Sequence, residues 1–329
     1  VNPARVPLAD GHADSLMWNR DLAARQRRGH VDVPRLVEAG VRIQAFTVVT
    51  RGYPVVDGMG AFGALRGWPR PARRGPWARC LFQLDRMREV CERAGGTIDV
   101  AASAAALEEN LARGRISAVL GVEGAQALEG RPERVAELRA RGVRFMSLTH
   151  LANNELGGSS SPLMRDRPLT ALGREVLDAM ASAGVSVDLA HASHRTLRDV
   201  LQHGQGRVLC SHTGVSGAAR SWRNLDDGEL RAIADRGGVV GIIFGTGYLG
   251  GREIGDVVRH VEHALDVAGQ DAVAFGSDFD GMVPLPRGVR DVTDVPRLVD
   301  ALARRRSPEV VEKVAWTNWR RFFRETLGA

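Results

Sequence analysis

Cysteine is scarce, with three in 329 residues: Cys80, Cys91 and Cys210. Cys80 and Cys91 share a segment of helical pattern, where eleven residues at about 1.5 Å each set them roughly 16 Å apart. That is far beyond disulfide reach. An odd, sparse set argues for a reducing compartment and for thiols that pack rather than bind metal. Long apolar runs are also missing, and none approaches the roughly 20 residues that span a bilayer. No charged stretch leads into an apolar core near the start. The expectation is a cytoplasmic chain without a membrane anchor, export being left open because the sequence starts at Val1. Lysine is nearly absent: Lys313 stands alone beside the arginines that make up the rest of the 45 basic residues. The formal charge is +6 and the pI about 10.1. Outside local clusters such as Arg70–Arg74 and Arg304–Arg306 the arginines are scattered, which argues against a nucleic-acid face. The surplus charge can still draw anionic substrates.

What remains is an ordinary globular composition, 44% hydrophobic and 26% charged, with enough chain for a large core. Apolar, β-branched runs recur at Val6–Gly11, Val41–Val49, Ser117–Val122, Val143–Thr149, Val185–Ala190, Arg207–Ser211, Gly238–Phe244 and Ala272–Ser277. Helical spacing marks Pro132–Arg141, Thr170–Ala183, Arg195–Leu201 and Asp227–Arg236, with Gly142, Gly184 and Gly237 as closing glycines. Continuous apolar strands alternating with helices mean a parallel sheet buried on both faces. Eight such units predict an α/β fold, a (β/α)8 TIM barrel, as one domain over 1–329. Residues 51–77 and 151–169 show no clean period and are expected to be lid loops at the C-terminal face. The tail, Pro308–Leu327, reads as a helix packed on the barrel.

The ends of these strands carry the chemistry. The first ends in His12 and Asp14, within "LADGHADSL"; residues two apart on a strand share a face. The third ends in Glu123, the fourth in His150, the fifth in His191, the sixth in His212 and the eighth in Asp278. Each has a plain alternative. Asp14 or Asp278 alone could cap a helix or turn, a lone histidine is usually a satisfied core residue, and Glu123 could be a loop acid. The joint pattern overrides them, because a barrel's active site lies at the C-terminal ends of its strands. Imidazoles and carboxylates together suit zinc and its neighbours. Seven groups exceed one tetrahedral ion; two ions about 3.5–4 Å apart would use them and activate a shared water. His194 reads as structural at a helix start, while His30, His203, His260 and His263 fall away from strand ends and read as peripheral. Asp280 reads as a turn or cap residue.

The segments "DGHADS", "GVEGA", "SLTHLANN", "VDLAHAS", "SHTGV", "RNLDD" and "GSDFDG", in that order from residue 10 to 281, resemble the membrane (renal) dipeptidase family, peptidase family M19 of the amidohydrolase superfamily. The resemblance implies a binuclear zinc dipeptidase, other divalent ions being possible, whose substrates are dipeptides and extend to those with a D-residue at the C-terminal position. By position, His12 and Asp14 would bind one zinc, His191 and His212 the second, and Glu123 would bridge both. His150 would contact the scissile carbonyl, Arg223 would hold the substrate's C-terminal carboxylate, with Arg220 its nearby substitute, and Asp278 would manage protons. Many related amidohydrolases bridge their metals with a carboxylated lysine; Lys313 is badly placed for that, which leaves the bridge to Glu123. The family's frequent homodimers imply a homodimer here, and its lipid anchor does not carry over. The rival readings are another binuclear hydrolase, a deacylase or lactonase, and a non-catalytic metal-binding barrel.

Overall fold

The computed structural model describes residues 6–51, 58–204 and 206–328. Nine parallel strands form: β1 Leu8–Asp10, β2 Val41–Val49, β3 Ile98–Val100, β4 Ile116–Glu123, β5 Val143–Ser147, β6 Ser186–Asp188, β7 Val208–Thr213, β8 Val240–Ile242 and β9 Val273–Phe275. Eight follow the order β1-β2-β4-β5-β6-β7-β8-β9, and β3 pairs only with β4. Gly11 N bonds to Phe275 O at 3.0 Å and Asp14 N to Phe279 O at 2.9 Å. Those bonds bring the last strand back to the first, so the sheet closes as a (β/α)8 barrel. Every residue of the strands β4 to β9 is buried, which is why the runs are continuously apolar instead of alternating.

The four helices expected from spacing form at Arg134–Ala140, Ala171–Ala183, His194–His203 and Asp227–Asp235. Their starts follow from chemistry: the side chains of Thr170, Ser193 and Asp226 accept backbone N–H bonds from the first turns, satisfying donors that lack intrahelical partners. Cys80 and Cys91 lie in one helix, Pro76–Arg93, and all three thiols are free. The tail forms helix Pro308–Glu312, a π turn at Lys313–Thr317 and helix Asn318–Thr326. Trp319, Phe322 and Phe323 pack with Ile43, Val119, Phe145 and Leu209, and Trp319 Nε1 donates to Phe275 O at 2.7 Å. Trp316 packs in the same cluster as Ala9 and Val6, so this segment covers the end where the first strand begins.

One expectation is corrected. The segment 51–77 is not irregular throughout: helix Gly58–Leu65 and a 3-10 turn at Pro71–Arg73 form within it, and only residues 52–57 of that expected lid lie outside the described residues. Met59, Trp68 and Ala72 pack on Met17 and Val49, which supplies the helix with the burial that its glycine-rich sequence hides. Segment 151–169 holds neither helix nor regular strand, as expected, and bridges to Ala192 through Ser159. No helix among the described residues is long and apolar enough to cross a membrane.

Candidate metal centre and active site

All seven strand-end groups converge. Glu123, 2% exposed, lies at the middle. Its Oε1 is 3.0 Å from His191 Nε2, 3.4 Å from His212 Nε2 and 3.6 Å from His12 Nε2. Its Oε2 is 3.2 Å from His150 Nε2. His12 Nε2 lies 3.4 Å from Asp14 Oδ1 and 4.0 Å from Asp278 Oδ1, so the two residues of the opening motif do face the same point. Among the described residues four triads could hold a cation: His12–Asp14–Asp278, Glu123–His150–His191 and His12–Asp188–His212 at this centre, and His194–Asp226–Glu229 away from it. His212 joins them, its Nε2 3.1 Å from His191 Nε2.

The plain alternatives fail on geometry. Asp14 precedes a 3-10 turn but makes no side-chain cap bond; its Oδ1 accepts from Thr47 Oγ1 at 2.6 Å instead. His191 and Asp278 hold φ of 65° and 61°, a left-handed region costly for residues with a Cβ. The surroundings fix them there. Ser160 N donates to His191 O at 2.8 Å. A Cβ at Gly281 would stand 2.0 Å from Asp278 Oδ1, so any larger residue there would push the Asp278 carboxylate out of its place.

Arg223 reaches the same centre. It is buried, its Nη1 donates to His212 O at 2.7 Å and its Nη2 lies 3.0 Å from His191 Nε2. Its Nε has no hydrogen-bond partner among the described residues. Arg220 is exposed, which removes it as the substitute. His150 donates Nδ1–H to the carbonyl of Arg51 at 3.0 Å, leaving Nε2 toward Glu123.

Asp280 is more than a turn residue. It takes φ 66°, but its carboxylate also accepts from Ser15 Oγ at 2.6 Å, Arg20 Nη2 at 2.6 Å and His30 N at 2.9 Å. It ties the loop bearing Asp14 to the loop bearing Asp278. His260, expected to be peripheral, is off the centre but fully buried; it accepts from Val215 N at 2.9 Å and meets Leu249 O at 3.2 Å. His194 bonds Glu229 at 2.7 Å from the first turn of its helix, the structural place expected. Sequence reading passed over Thr47, Asp188 and Ser211, which lie beneath the histidines; a polar residue inside an apolar strand was the available signal.

The electrostatics call for cations. Asp14, Glu123 and Asp278 are all buried, and burial of unpaired charge is expensive. Burial opposes a charge on His12, yet Asp14, Glu123 and Asp278 outweigh it and push His12 up to about 10. Burial, with Asp14 and Glu123 against His12 and Arg223, pushes Asp278 up to about 8. Burial and neighbouring positive groups hold His191 and His212 well below the usual histidine value, so both keep a lone pair for a metal. Without cations the centre therefore stores protons on His12 and Asp278 at neutral pH, and cation binding must expel them. Zinc addition should release about one to two protons per chain near neutrality, read by titration calorimetry in two buffers of different ionisation enthalpy. Affinity should climb as pH rises toward about 8 and about 10. The stability of the metal-free chain should run the other way. Both groups bind protons more tightly when folded, so stability falls as pH rises from 3.8 to about 8 through Asp278 and from 6.5 to about 10 through His12. Release of no protons would exclude this charge arrangement.

A closed (β/α)8 barrel with imidazoles and buried carboxylates gathered at its strand C-termini defines a metal-dependent hydrolase. Residues 3–328 match the membrane dipeptidase family, peptidase family M19. A Klebsiella pneumoniae protein of the pqqA 5′ region, itself uncharacterized, is 31% identical over 252 residues, 73% of this chain and 93% of that one. A Rhodobacter sphaeroides metallopeptidase, solved with a phosphinate mimic of the dipeptide L-Ala-D-Ala, has a TM-score of 0.85 at 25% identity, covering 98% of this chain and 99% of that one. Dipeptidase AC, an M19 metallopeptidase, gives 0.84 at 25% identity with the same coverage. The chain belongs to the M19 membrane dipeptidase family and is a metal-dependent dipeptidase.

Proposed function

We propose that this dipeptidase works with two zinc ions and accepts dipeptides whose C-terminal residue is D. The carrying observation is the central carboxylate, with Glu123 Oε1 within 3.6 Å of His12, His191 and His212 Nε2 together. His12 and Asp14 would hold one ion and His191 and His212 the other, with the Glu123 carboxylate shared between the two sites. The L-Ala-D-Ala mimic bound by the Rhodobacter relative supports the D-residue reading. Bound divalent ions supply Lewis acidity and water activation at neutral pH. His150 aims Nε2 at the scissile carbonyl. Arg223 receives the substrate's carboxylate through charge-assisted bonds, and that fixed cation limits the substrate to one residue beyond the scissile bond. Asp278 takes the water's proton and passes it to the leaving amine. The whole chain acts as one barrel domain, with 51–77 and 151–169 as lids over the centre. Three free thiols suit a cytoplasmic enzyme, and the family resemblance supports a homodimer.

Metal analysis of zinc-reconstituted protein should find about two ions per chain, with turnover of L-Xaa-D-Xaa dipeptides. A stoichiometry that never passes one rejects the binuclear reading. Arg223→Ala should cut kcat/KM for dipeptides about 10- to 100-fold more than for the matching dipeptide amides, the range of a lost hydrogen bond to a charged group. Equal losses on the two substrates would remove the clamp role.

A further inference from the structure

Beneath the centre, one hydroxyl touches two of the histidines. Ser211 Oγ is 3.1 Å from His12 Nδ1 and 2.8 Å from His212 Nδ1. It also donates to Asp188 Oδ2 at 2.6 Å. An ionised carboxylate can only accept, and with Asp188 Oδ1 taking the backbone N–H groups of Ala190 at 3.0 Å and Ser211 at 2.9 Å, the Ser211 hydroxyl is the donor to Oδ2, the shortest of its three contacts. A hydroxyl has one hydrogen and two lone pairs. With the hydrogen on Asp188, both lone pairs face imidazoles, and both Nδ1 atoms must donate.

We propose that Ser211, held by Asp188, is a positioning residue that fixes His12 and His212 in the same tautomer, Nδ1–H with the Nε2 lone pair toward the centre. One oxygen thereby prepares a ligand for each of the two ions assigned above, on which assignment the functional part of this inference rests. A metal-ligating histidine generally donates its other ring N–H to a fixed partner; here two histidines, one just after β1 and one in β7, share one. The backbone keeps Ser211 in place. A Cβ at Gly241 or Gly276 would come within 2.1 or 1.9 Å of Ser211 O, so the neighbouring strands close on that carbonyl as only glycines allow. Ser211 and His12 are both fully buried, which leaves the hydroxyl no competing water-exposed orientation.

Two variants separate this role from simple packing. Ser211→Ala removes the shared acceptor, and zinc affinity should fall about 10- to 100-fold at both steps, the usual cost of an outer-shell partner. Asp188→Asn keeps the shape but reverses a bond. The amide carbonyl must take the place that accepts Ala190 and Ser211 N–H, so its NH2 faces Ser211 Oγ and donates. Ser211 then turns its own proton to an imidazole, first to the nearer His212, whose Nδ1 becomes the acceptor. Asp188→Asn should therefore weaken one zinc site far more than the other, by about the same factor. Imidazole nitrogen shifts in the metal-free protein read the lock without any ion: His212 should be Nδ1–H in the native chain, mixed in Ser211→Ala and Nε2–H in Asp188→Asn. Should the metal assignment fail, these shifts still hold; should the lock fail, they will not. If Ser211→Ala does not fold, Asp188→Asn decides alone. His212 remaining Nδ1–H in Asp188→Asn, or native zinc affinity with native shifts in Ser211→Ala, would overturn the proposal.

Discussion

Glu123→Gln should empty the centre of metal and take nearly all dipeptide turnover with it. Glu123 offers Oε1 to His191, His212 and His12 and Oε2 to His150. A neutral amide keeps the length but presents one acceptor atom and two hydrogens. Those hydrogens would face imidazole nitrogens that must keep their lone pairs for cations. Both ions should weaken together, each by more than the ~10–100-fold typical of an outer-shell change. Elemental analysis after dialysis should drop from about two ions per chain to below one. The fold should persist, because losing a buried carboxylate from a crowded acidic cluster also removes repulsion. Normal metal content with lost turnover would move Glu123 from metal binding to a purely catalytic duty. Loss of one ion alone would end its role as a bridge.

Glu123 is legible in the sequence as the carboxylate that ends an apolar run, and so is most of the barrel. Eight strands announced themselves as buried apolar runs, and their ends lined up with histidines and carboxylates. β3 did not, because Ile98–Val100 carries an acid at its middle and only its first residue is buried, so no continuous apolar run marks it. Helix Gly58–Leu65 was hidden by its three glycines; it is ordered by packing with Met17 and Trp68, which no local pattern carries. The supporting layer was harder still. Asp188 and Ser211 act through partners 23 residues apart, and Asp280 through Ser15, 265 residues away. Sequence places a polar residue in a strand, but only closure of the barrel says which imidazole or loop it serves. His260 shows the same limit: it lies on a helix far from any strand end, yet barrel closure buries it between Val215 and Leu249.

Asp278→Asn should lower kcat by ~10²–10⁴-fold, the usual contribution of a positioned acid–base group, while zinc content and fold survive. In the cation-free centre the proton affinity of Asp278 is pushed up, to about 8, by burial, with Asp14 and Glu123 against the pull of His12 and Arg223. A carboxylate placed beside the ligands can take a proton from water and hand it to the leaving nitrogen. Its left-handed backbone, φ 61°, spends conformational energy to aim the carboxyl at His12 Nε2, 4.0 Å away. The leaving nitrogen needs that proton, since it otherwise departs as a poor anion. Asp280→Asn is the matched control two residues on, with the same charge change. Asp280 is committed to Ser15, Arg20 and His30, so its loss should cost about 1–3 kcal/mol of stability and little kcat per folded molecule. The two variants should thus separate cleanly, one in rate at full stability and the other in stability at near-full rate. Near-native turnover by Asp278→Asn with both ions bound would assign the proton to another group, and the strained turn at Asp278 would then need a different reason.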